Sequence, residues 1–122
     1  MRSEDFRYRD ELKQRTKLFA LRVIKLFKKL PKTTEAQIIG KQLLRSATSV
    51  AANYRAACRA RSNAEFHSKL SIVIEETDET MFWTELLWEA DIVKKELLGN
   101  LYQENEEILK IMVTSRKNST KK

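Results

Sequence analysis

The chain contains very few of the residues that interrupt helices or that build catalytic and metal sites. Its 122 residues include two Gly, one Pro, one Cys and one His. A single Cys excludes an intramolecular disulfide, and a single His excludes the paired Glu-x-x-His motifs with which helical bundles bind two iron ions. Two isolated Gly exclude a glycine-rich phosphate loop. We therefore expect no enzyme activity, no metal and no cofactor.

Long apolar runs are missing as well. The chain opens MRSEDFRYRDELKQR, which is charged where a secretory signal would be apolar. No stretch approaches the roughly 20 apolar residues that are needed to cross a bilayer. We therefore expect a cytoplasmic protein with no membrane partner.

Helix-forming residues dominate what is present, chiefly Leu, Ala, Glu, Lys, Arg and Ile. A chain of 122 residues and 14.3 kDa has room for one domain with one core. Apolar periodicity divides it into four helices, at about residues 5–30, 34–60, 63–91 and 95–116. The pattern predicts a single all-α domain over residues 1–122.

Pro31 and two capping boxes set the boundaries of the first three helices. Thr34 followed by Gln37, and Ser62 followed by Glu65, have the spacing at which a hydroxyl accepts from an amide of the first helical turn. These pairs predict that the second helix starts near residue 34 and the third near residue 63.

The end of the chain leaves two alternatives open. Gly99 and Asn100 could end the third helix, or Gly99 could lie inside a fourth helix that begins near Lys95. We favour the second, because stopping at Asn100 would leave the last helix too short for its partners. The final residues 117–122, KNSTKK, predict a flexible basic tail.

The third helix carries more apolar side chains than one core stripe uses. Ile72, Phe82, Trp83 and Leu86 are left over, and Trp83 and Trp88 lie roughly 140° apart around the helix. Aromatic residues beyond the core stripe are enriched at subunit interfaces. We predict that the four leftover residues form an oligomer interface. The alternative is a broad core face in a compact bundle.

Positive charge is concentrated in the first two helices and negative charge in the third. The chain has 24 Lys and Arg against 17 Asp and Glu, with a net charge of +7, which favours binding to polyanions. The alternative is that these are ordinary solvated helix faces. The predicted nucleic-acid contacts are the basic residues near two loops, namely Arg55, Arg59, Arg61, Lys28, Lys29 and Lys32.

Arg45 has a different predicted role. It lies one residue from the apolar stripe of the second helix, and the third helix offers an acidic group at Glu75, Glu76 and Glu79. An arginine removed from water requires a carboxylate partner. We predict a structural ion pair of Arg45 with this group, with Glu75 and Glu79 as its partners.

Five runs carry a family resemblance between about residues 17 and 113: LP at residue 30, QLLRSATSVAANYR from residue 42, ARSNAEF from residue 60, EETDETMFWTELL from residue 75, and EEILKIMV from residue 106. With these runs the chain resembles the four-helix-bundle proteins encoded in intervening sequences of bacterial 23S ribosomal RNA genes. Many members carry Asn-Ile-Ala-Glu-Gly where this chain has NYRAA at residues 53–57. A role tied to that Glu and Gly is therefore not carried over.

The resemblance implies an antiparallel up-down-up-down bundle that assembles into a ring-shaped homopentamer. The chain is also similar in general pattern to the accessory proteins of diversity-generating retroelements, which bind nucleic acid and a reverse transcriptase. Three functions follow as hypotheses. The first is a non-catalytic homo-oligomer that binds the backbone of RNA or DNA. The second is a scaffold for a reverse transcriptase or another protein, and the third is a relic product of a mobile intervening sequence with no cellular task.

Overall fold

Four helices make up the protein, as a computed structural model shows. The structure describes residues 3–119, and it describes side chains from residue 7 onward. The helices are α1 Ser3–Lys29, α2 Thr34–Ala57, α3 Asn63–Glu89 and α4 Lys95–Ser119, and residues 3–119 contain no strand. The prediction of an all-α four-helix fold is confirmed.

Side-chain caps fix where α2 and α3 begin. The Ser62 hydroxyl accepts from the amide of Glu65 at 3.1 Å, as its capping box predicts. The cap of α2 is Thr33, whose hydroxyl accepts from the amide of Ala36 at 3.4 Å, and the prediction of Thr34 was wrong. The reason is that the Gln37 side chain donates to the carbonyl oxygen of Pro31 at 2.9 Å and so does not complete a box with Thr34.

The last helix extends further than the sequence predicts. It begins at Lys95, so Gly99 lies inside it, and it continues to Ser119. The Ser119 hydroxyl donates to the carbonyl oxygen of Arg116 at 2.6 Å and lies 3.1 Å from Nδ1 of His67, which holds this end against α3. Residues 117–119 are therefore helical instead of part of a flexible tail, and residues 120–122 lie outside the described residues.

The helices alternate in direction around one core. Their connections have four or five residues, which makes consecutive helices antiparallel neighbours. Each helix packs on the next along the chain and α1 touches α4 more lightly, whereas α1 and α3 lie diagonally across the core and, within the described residues, meet through side chains alone. The largest fully buried side chains come from all four helices: Phe19, Val23, Leu43, Val50, Tyr54, Leu70, Val73, Leu87, Leu98, Ile108 and Met112.

Two buried polar contacts set the register of the helices. The hydroxyl of Thr80 donates to the hydroxyl of Ser46 at 2.8 Å, which aligns α3 with α2. The amide of Asn105 donates to the carbonyl oxygen of Thr77 at 3.0 Å, which aligns α4 with α3. Because a buried polar group without a partner costs about 1–3 kcal/mol, a shift of either register is unfavourable.

All four helices meet at the end of the bundle where α1 starts and α2 ends. A cavity of about 150 Å³ lies there, between Tyr8, Tyr54, Phe66 and Ser115 among others. The guanidinium of Arg9 lies 4.2 Å from the centre of the Phe66 ring. A cation over an aromatic face is attracted to it, so this contact holds α1 against the start of α3.

Arg45 forms its ion pair with α3, although one of its two predicted partners was wrong. Its Nη1 donates to Oε2 of Glu76 at 2.9 Å, and its Nη2 donates to Glu79. Glu76 and Glu79 are three residues apart and therefore share the side of α3 that faces α2. Glu75, one residue earlier, is turned by about 100° and is exposed.

A second arginine joins α1 to α4, where the helices pack most lightly. Arg15 donates through Nε to Oε2 of Glu104 at 2.7 Å and through Nη2 to Oε1 at 2.8 Å. Glu107 accepts a further hydrogen bond from Nη2 at 3.2 Å. The hydrogen bonds from Arg15 lower the pKa of the Glu104 carboxyl despite its partial burial.

We expect Glu104→Gln to lower the free energy of unfolding by about 1 kcal/mol at neutral pH, because the pair is partly solvent-exposed and screened. Since the pKa of Glu104 is lowered by folding, its contribution is present above the unfolded-state value of about 4.3 and is lost as the pH falls through the folded-state value. Urea unfolding at neutral pH and at progressively more acidic pH measures this, with Glu106→Gln as an exposed control on the same helix. A difference between wild type and Glu104→Gln that stays constant down to strongly acidic pH would contradict it.

Candidate nucleic-acid interface

Charge divides the bundle into two sides. Helices α1 and α2 together carry twelve Lys and Arg against five Asp and Glu, whereas α3 carries one Lys against seven Asp and Glu. Because α1 and α3 lie diagonally across the core, the most basic and the most acidic helix face opposite sides of the bundle. The side formed by α1 and α2 is therefore the side that attracts negative charge.

An open groove runs between α1 and α2 on this basic side. It encloses about 430 Å³. Small side chains on α2 form its floor, which leaves the groove unfilled, and basic side chains line its walls. The lining residues are Lys13, Gln14, Lys17, Thr48, Ala51, Ala52, Arg55 and Arg59.

The local sequence explains this arrangement. Lys13 and Lys17 are four residues apart and therefore share one side of α1. Arg55 lies in the last turn of α2, and Arg59 follows the end of that helix. Cationic side chains at the C-terminal end of a helix interact favourably with its dipole. The groove thus has two rows of cations, one from each helix.

The cations of the groove are available to an anionic ligand. Lys13 Nζ lies 3.7 Å from Oδ1 of Asp10, whereas Lys17, Arg55 and Arg59 make no ion pair with any carboxylate of the described residues. No aromatic side chain lines the groove, so the stacking platforms that hold single-stranded bases are missing there.

The structure does not bring the six predicted nucleic-acid contacts together. Arg55 and Arg59 line the groove, and Arg61 is exposed in the loop at the same end of the bundle. The other three, Lys28, Lys29 and Lys32, are exposed at the opposite end. The 24 residues of α2 separate the two groups by about 36 Å.

Sequence reasoning missed Lys13 and Lys17 as members of the site. Their spacing on one side of α1 was a usable signal, because an antiparallel second helix places its basic end beside the start of the first. The rotation of α1 that turns these two lysines toward α2 was not readable from the charges of one helix alone.

Three of the four predicted interface residues, Ile72, Phe82 and Leu86, lie along the outer side of α3, whereas Trp83 packs against the edge of the core. Phe82 is 50% exposed and Ile72 is 44% exposed, whereas Trp83 and Leu86 are half-buried. The Trp83 ring packs edge-to-face on Phe82 with centroids 5.0 Å apart, and its Nε1 donates to Glu79 at 2.9 Å. Half-exposed Phe and Ile side chains are not the broad core face of the alternative. Their role as an interface stays a prediction.

Neither a metal site nor a membrane-spanning helix is found among the described residues. Between residues 3 and 119, no three His, Cys, Asp or Glu side chains gather into a group that could hold a metal ion. In the same part of the chain, no helix combines the length and apolar character needed to span a bilayer. Burial raises the pKa of the Cys58 thiol, which lowers its reactivity.

Comparisons with known proteins find similarity over almost the whole bundle. The model of the family described as 23S rRNA-intervening sequence protein matches residues 10–114. A 1.70 Å crystal structure of a protein with unknown function, from the S23 ribosomal protein family of Bacteroides thetaiotaomicron VPI-5482, is 34% identical to the chain. The match covers 89% of this chain and 97% of that chain, with a TM-score of 0.83. No curated protein matches significantly.

Proposed function

Because this chain belongs to the 23S rRNA-intervening sequence protein family, we propose that it is a non-catalytic, homo-oligomeric cytoplasmic protein that binds the phosphate backbone of RNA or DNA. The groove between α1 and α2 is the binding surface. The observation that carries the proposal is the position of Lys17, Arg55 and Arg59, which surround an open groove and have no carboxylate partner among the described residues.

The chemistry of the groove favours contacts to phosphate over contacts to bases. Arg and Lys side chains that neutralise phosphates release the counterions condensed on nucleic acid, and this release supplies sequence-independent affinity. Base-specific RNA recognition uses aromatic side chains that stack on unpaired bases, and none lines this groove. Binding is therefore tolerant of sequence and sensitive to salt.

The four groove cations set the size of the salt effect. Each neutralised phosphate contributes about 0.9 to the slope of log affinity against log salt concentration for duplex DNA and about 0.7 for single strands. Contacts from Lys13, Lys17, Arg55 and Arg59 thus predict a slope of about −3 to −4. Arg61 is exposed at the same end of the bundle. It makes this slope steeper if the bound strand extends that far.

We expect the triple variant Arg55→Ala, Arg59→Ala, Arg61→Ala to bind mixed-sequence RNA at least about tenfold more weakly at low salt, with a slope reduced by about 2–3. Fluorescence anisotropy over a salt series measures both quantities. Equal lengths of RNA and DNA, single-stranded and duplex, show which nucleic acid the groove prefers.

The chain offers a matched control for this experiment. Lys29→Ala, Lys32→Ala, Lys41→Ala removes the same number of charges toward the other end of the bundle and leaves Lys28 of the α1 surface intact. The control should retain most of the affinity. Equal losses in the two triple variants would show that only net charge acts, and unchanged binding in the arginine variant would remove the groove from the proposal.

A second candidate function, a protein-interaction scaffold, is favoured by the exposure of Phe82 and Ile72 on α3. The partner in that case is a reverse transcriptase or another protein encoded near the gene. Trp83→Ala should then abolish binding to the purified neighbouring protein and leave RNA binding unchanged. Retention of that protein by Trp83→Ala would count against the scaffold.

A further inference from the structure

One side of α3, opposite its buried face, combines apolar and acidic side chains. Ile72, Glu75, Glu79, Phe82 and Leu86 follow steps of three and four residues, so they form one stripe along the helix. The stripe spans about 21 Å. Phe82 and Ile72 are exposed, and Glu75 is exposed beside them. We call this stripe the α3 outer face.

One side of α1 has the opposite charge and the same spacing. Gln14, Leu18, Leu21, Lys25 and Lys28 also follow steps of three and four residues over about 21 Å. Leu18 is 60% exposed and Leu21 is 46% exposed. Lys25 and Lys28 are exposed and make no ion pair within the described residues. We call this stripe the α1 outer face.

The two outer faces do not meet within one molecule. Since α1 and α3 lie diagonally across the core and each turns its outer face away from it, the two faces point to different sides of the bundle. An α1 outer face and an α3 outer face can therefore meet only when they belong to two copies. Helices with apolar residues at such spacing pack along a shared seam.

The antiparallel alignment of these two stripes pairs four of the five positions of each stripe, and leaves Gln14 and Ile72 at its two ends. Setting Leu21 against Phe82 fixes the register. Three further pairs then form along the two helices. Leucines meet apolar residues and lysines meet glutamates. The pairs are Leu18 with Leu86, Leu21 with Phe82, Lys25 with Glu79, and Lys28 with Glu75. Glu79 also accepts from Arg45 and Trp83 of its own copy. Lys28 with Glu75 is therefore the pair whose members make no ion pair within the described residues of one copy.

The alternatives are electrostatically worse. A parallel alignment that keeps the apolar contacts sets Lys25 against Glu89, but it brings Glu11 against Glu75 and leaves Lys28 beyond the end of α3. An α3 face against a second α3 face brings glutamates against glutamates. Like charges placed against each other oppose association and suppress such pairings. The charges therefore select the antiparallel contact between α1 and α3.

We propose that copies of this protein assemble head to tail, with the α3 outer face of one copy packed antiparallel on the α1 outer face of the next. The inference rests on the homo-oligomerisation included in the proposed function and identifies the surfaces that produce it. A contact between two different faces leaves one free face at each end, so the chain of copies closes into a ring or continues as a filament.

Two complementary variants test the two faces separately. Leu18→Gln, Leu21→Gln disables the α1 face, and Phe82→Gln, Leu86→Gln disables the α3 face; Gln keeps the helix and a similar side-chain length. Light scattering should give an assembly for the wild type and the 14.3 kDa monomer for each variant alone. An equimolar mixture should give a dimer with one copy of each variant, because one intact face of each kind remains.

A charge exchange tests the register. Lys28→Glu should weaken the assembly through repulsion from Glu75, and adding Glu75→Lys in the same chain should restore it. These exposed positions lie outside the core, so circular dichroism should show all variants folded. Failure of the double variant to recover would overturn the antiparallel register.

The outcomes separate this inference from the proposed function. A wild-type protein that stays monomeric at high concentration overturns homo-oligomerisation and the head-to-tail contact together, and leaves the groove to the RNA experiment. A wild-type assembly that persists in the Leu18, Leu21 variant overturns the head-to-tail contact alone. A mixture of the two variants that stays monomeric also overturns the head-to-tail contact.

Discussion

Replacing Leu98 with alanine is expected to lower the free energy of unfolding by about 2–5 kcal/mol. Its side chain is 1% exposed and belongs to the core cluster that all four helices share. Truncation removes apolar contacts and leaves a cavity that the neighbouring helices fill only in part. Denaturant unfolding followed by circular dichroism measures the change.

The preceding residue is a matched control of the same type on the same helix. Leu97 is 74% exposed, so Leu97→Ala should change the free energy of unfolding by less than about 0.5 kcal/mol. The comparison removes any effect of helix propensity, because both variants make the same substitution in the first turns of α4. Similar losses at the two positions would show that α4 is rotated relative to the described core.

Introducing leucine at Gly40 is expected to destabilise the protein by about 1–3 kcal/mol through overpacking. A Cβ atom at Gly40 would lie 2.5 Å from Cδ1 of Leu30 and 3.0 Å from Cδ1 of Phe27. Both side chains belong to the α1–α2 contact, so Leu30 and Phe27 would have to repack or the two helices would have to move apart. The loss should appear although leucine favours helix over glycine by about 1 kcal/mol.

The second glycine of the chain provides the opposite result. No atom lies within 4 Å of a Cβ placed at Gly99, which is exposed inside α4. Gly99→Leu should therefore raise the free energy of unfolding by up to about 1 kcal/mol. A stabilising effect at Gly40, measured by the same unfolding experiment, would mean that α1 and α2 are farther apart there than the structure has them.

The number and type of the helices could be predicted from sequence because they depend on local patterns. Apolar periodicity, Pro31 and the Ser62 cap each act within a few residues. The cap of α2 could not be predicted, because Thr33 and Thr34 are adjacent hydroxyls with equal access to a first-turn amide. A hydrogen bond from Gln37 to Pro31, which the capping-box pattern does not include, accompanies the choice of Thr33.

The candidate site could be predicted only in part because it depends on how helices are rotated against each other. Arg45 and Glu79 were found from the apolar stripe of α2, but the second carboxylate is Glu76, which the rotation of α3 turns inward. The separation of Lys28 from Arg55 was deducible, since the C-terminal ends of two antiparallel helices lie at opposite ends of the pair. The open groove required the side-chain packing itself.

Because the bundle has four helices of alternating direction, α1 begins and α4 finishes at the same end of it. This is the end where the helices meet around Tyr8, Tyr54, Phe66 and Ser115. The start of α1 and the finish of α4 emerge there together, on the same side as Arg59. A domain joined to the first turn of α1 or to the last turn of α4 will therefore start beside the basic groove. Its charge is expected to oppose or reinforce the proposed RNA binding, whereas an insertion in the loop at Lys32 stays remote from the groove.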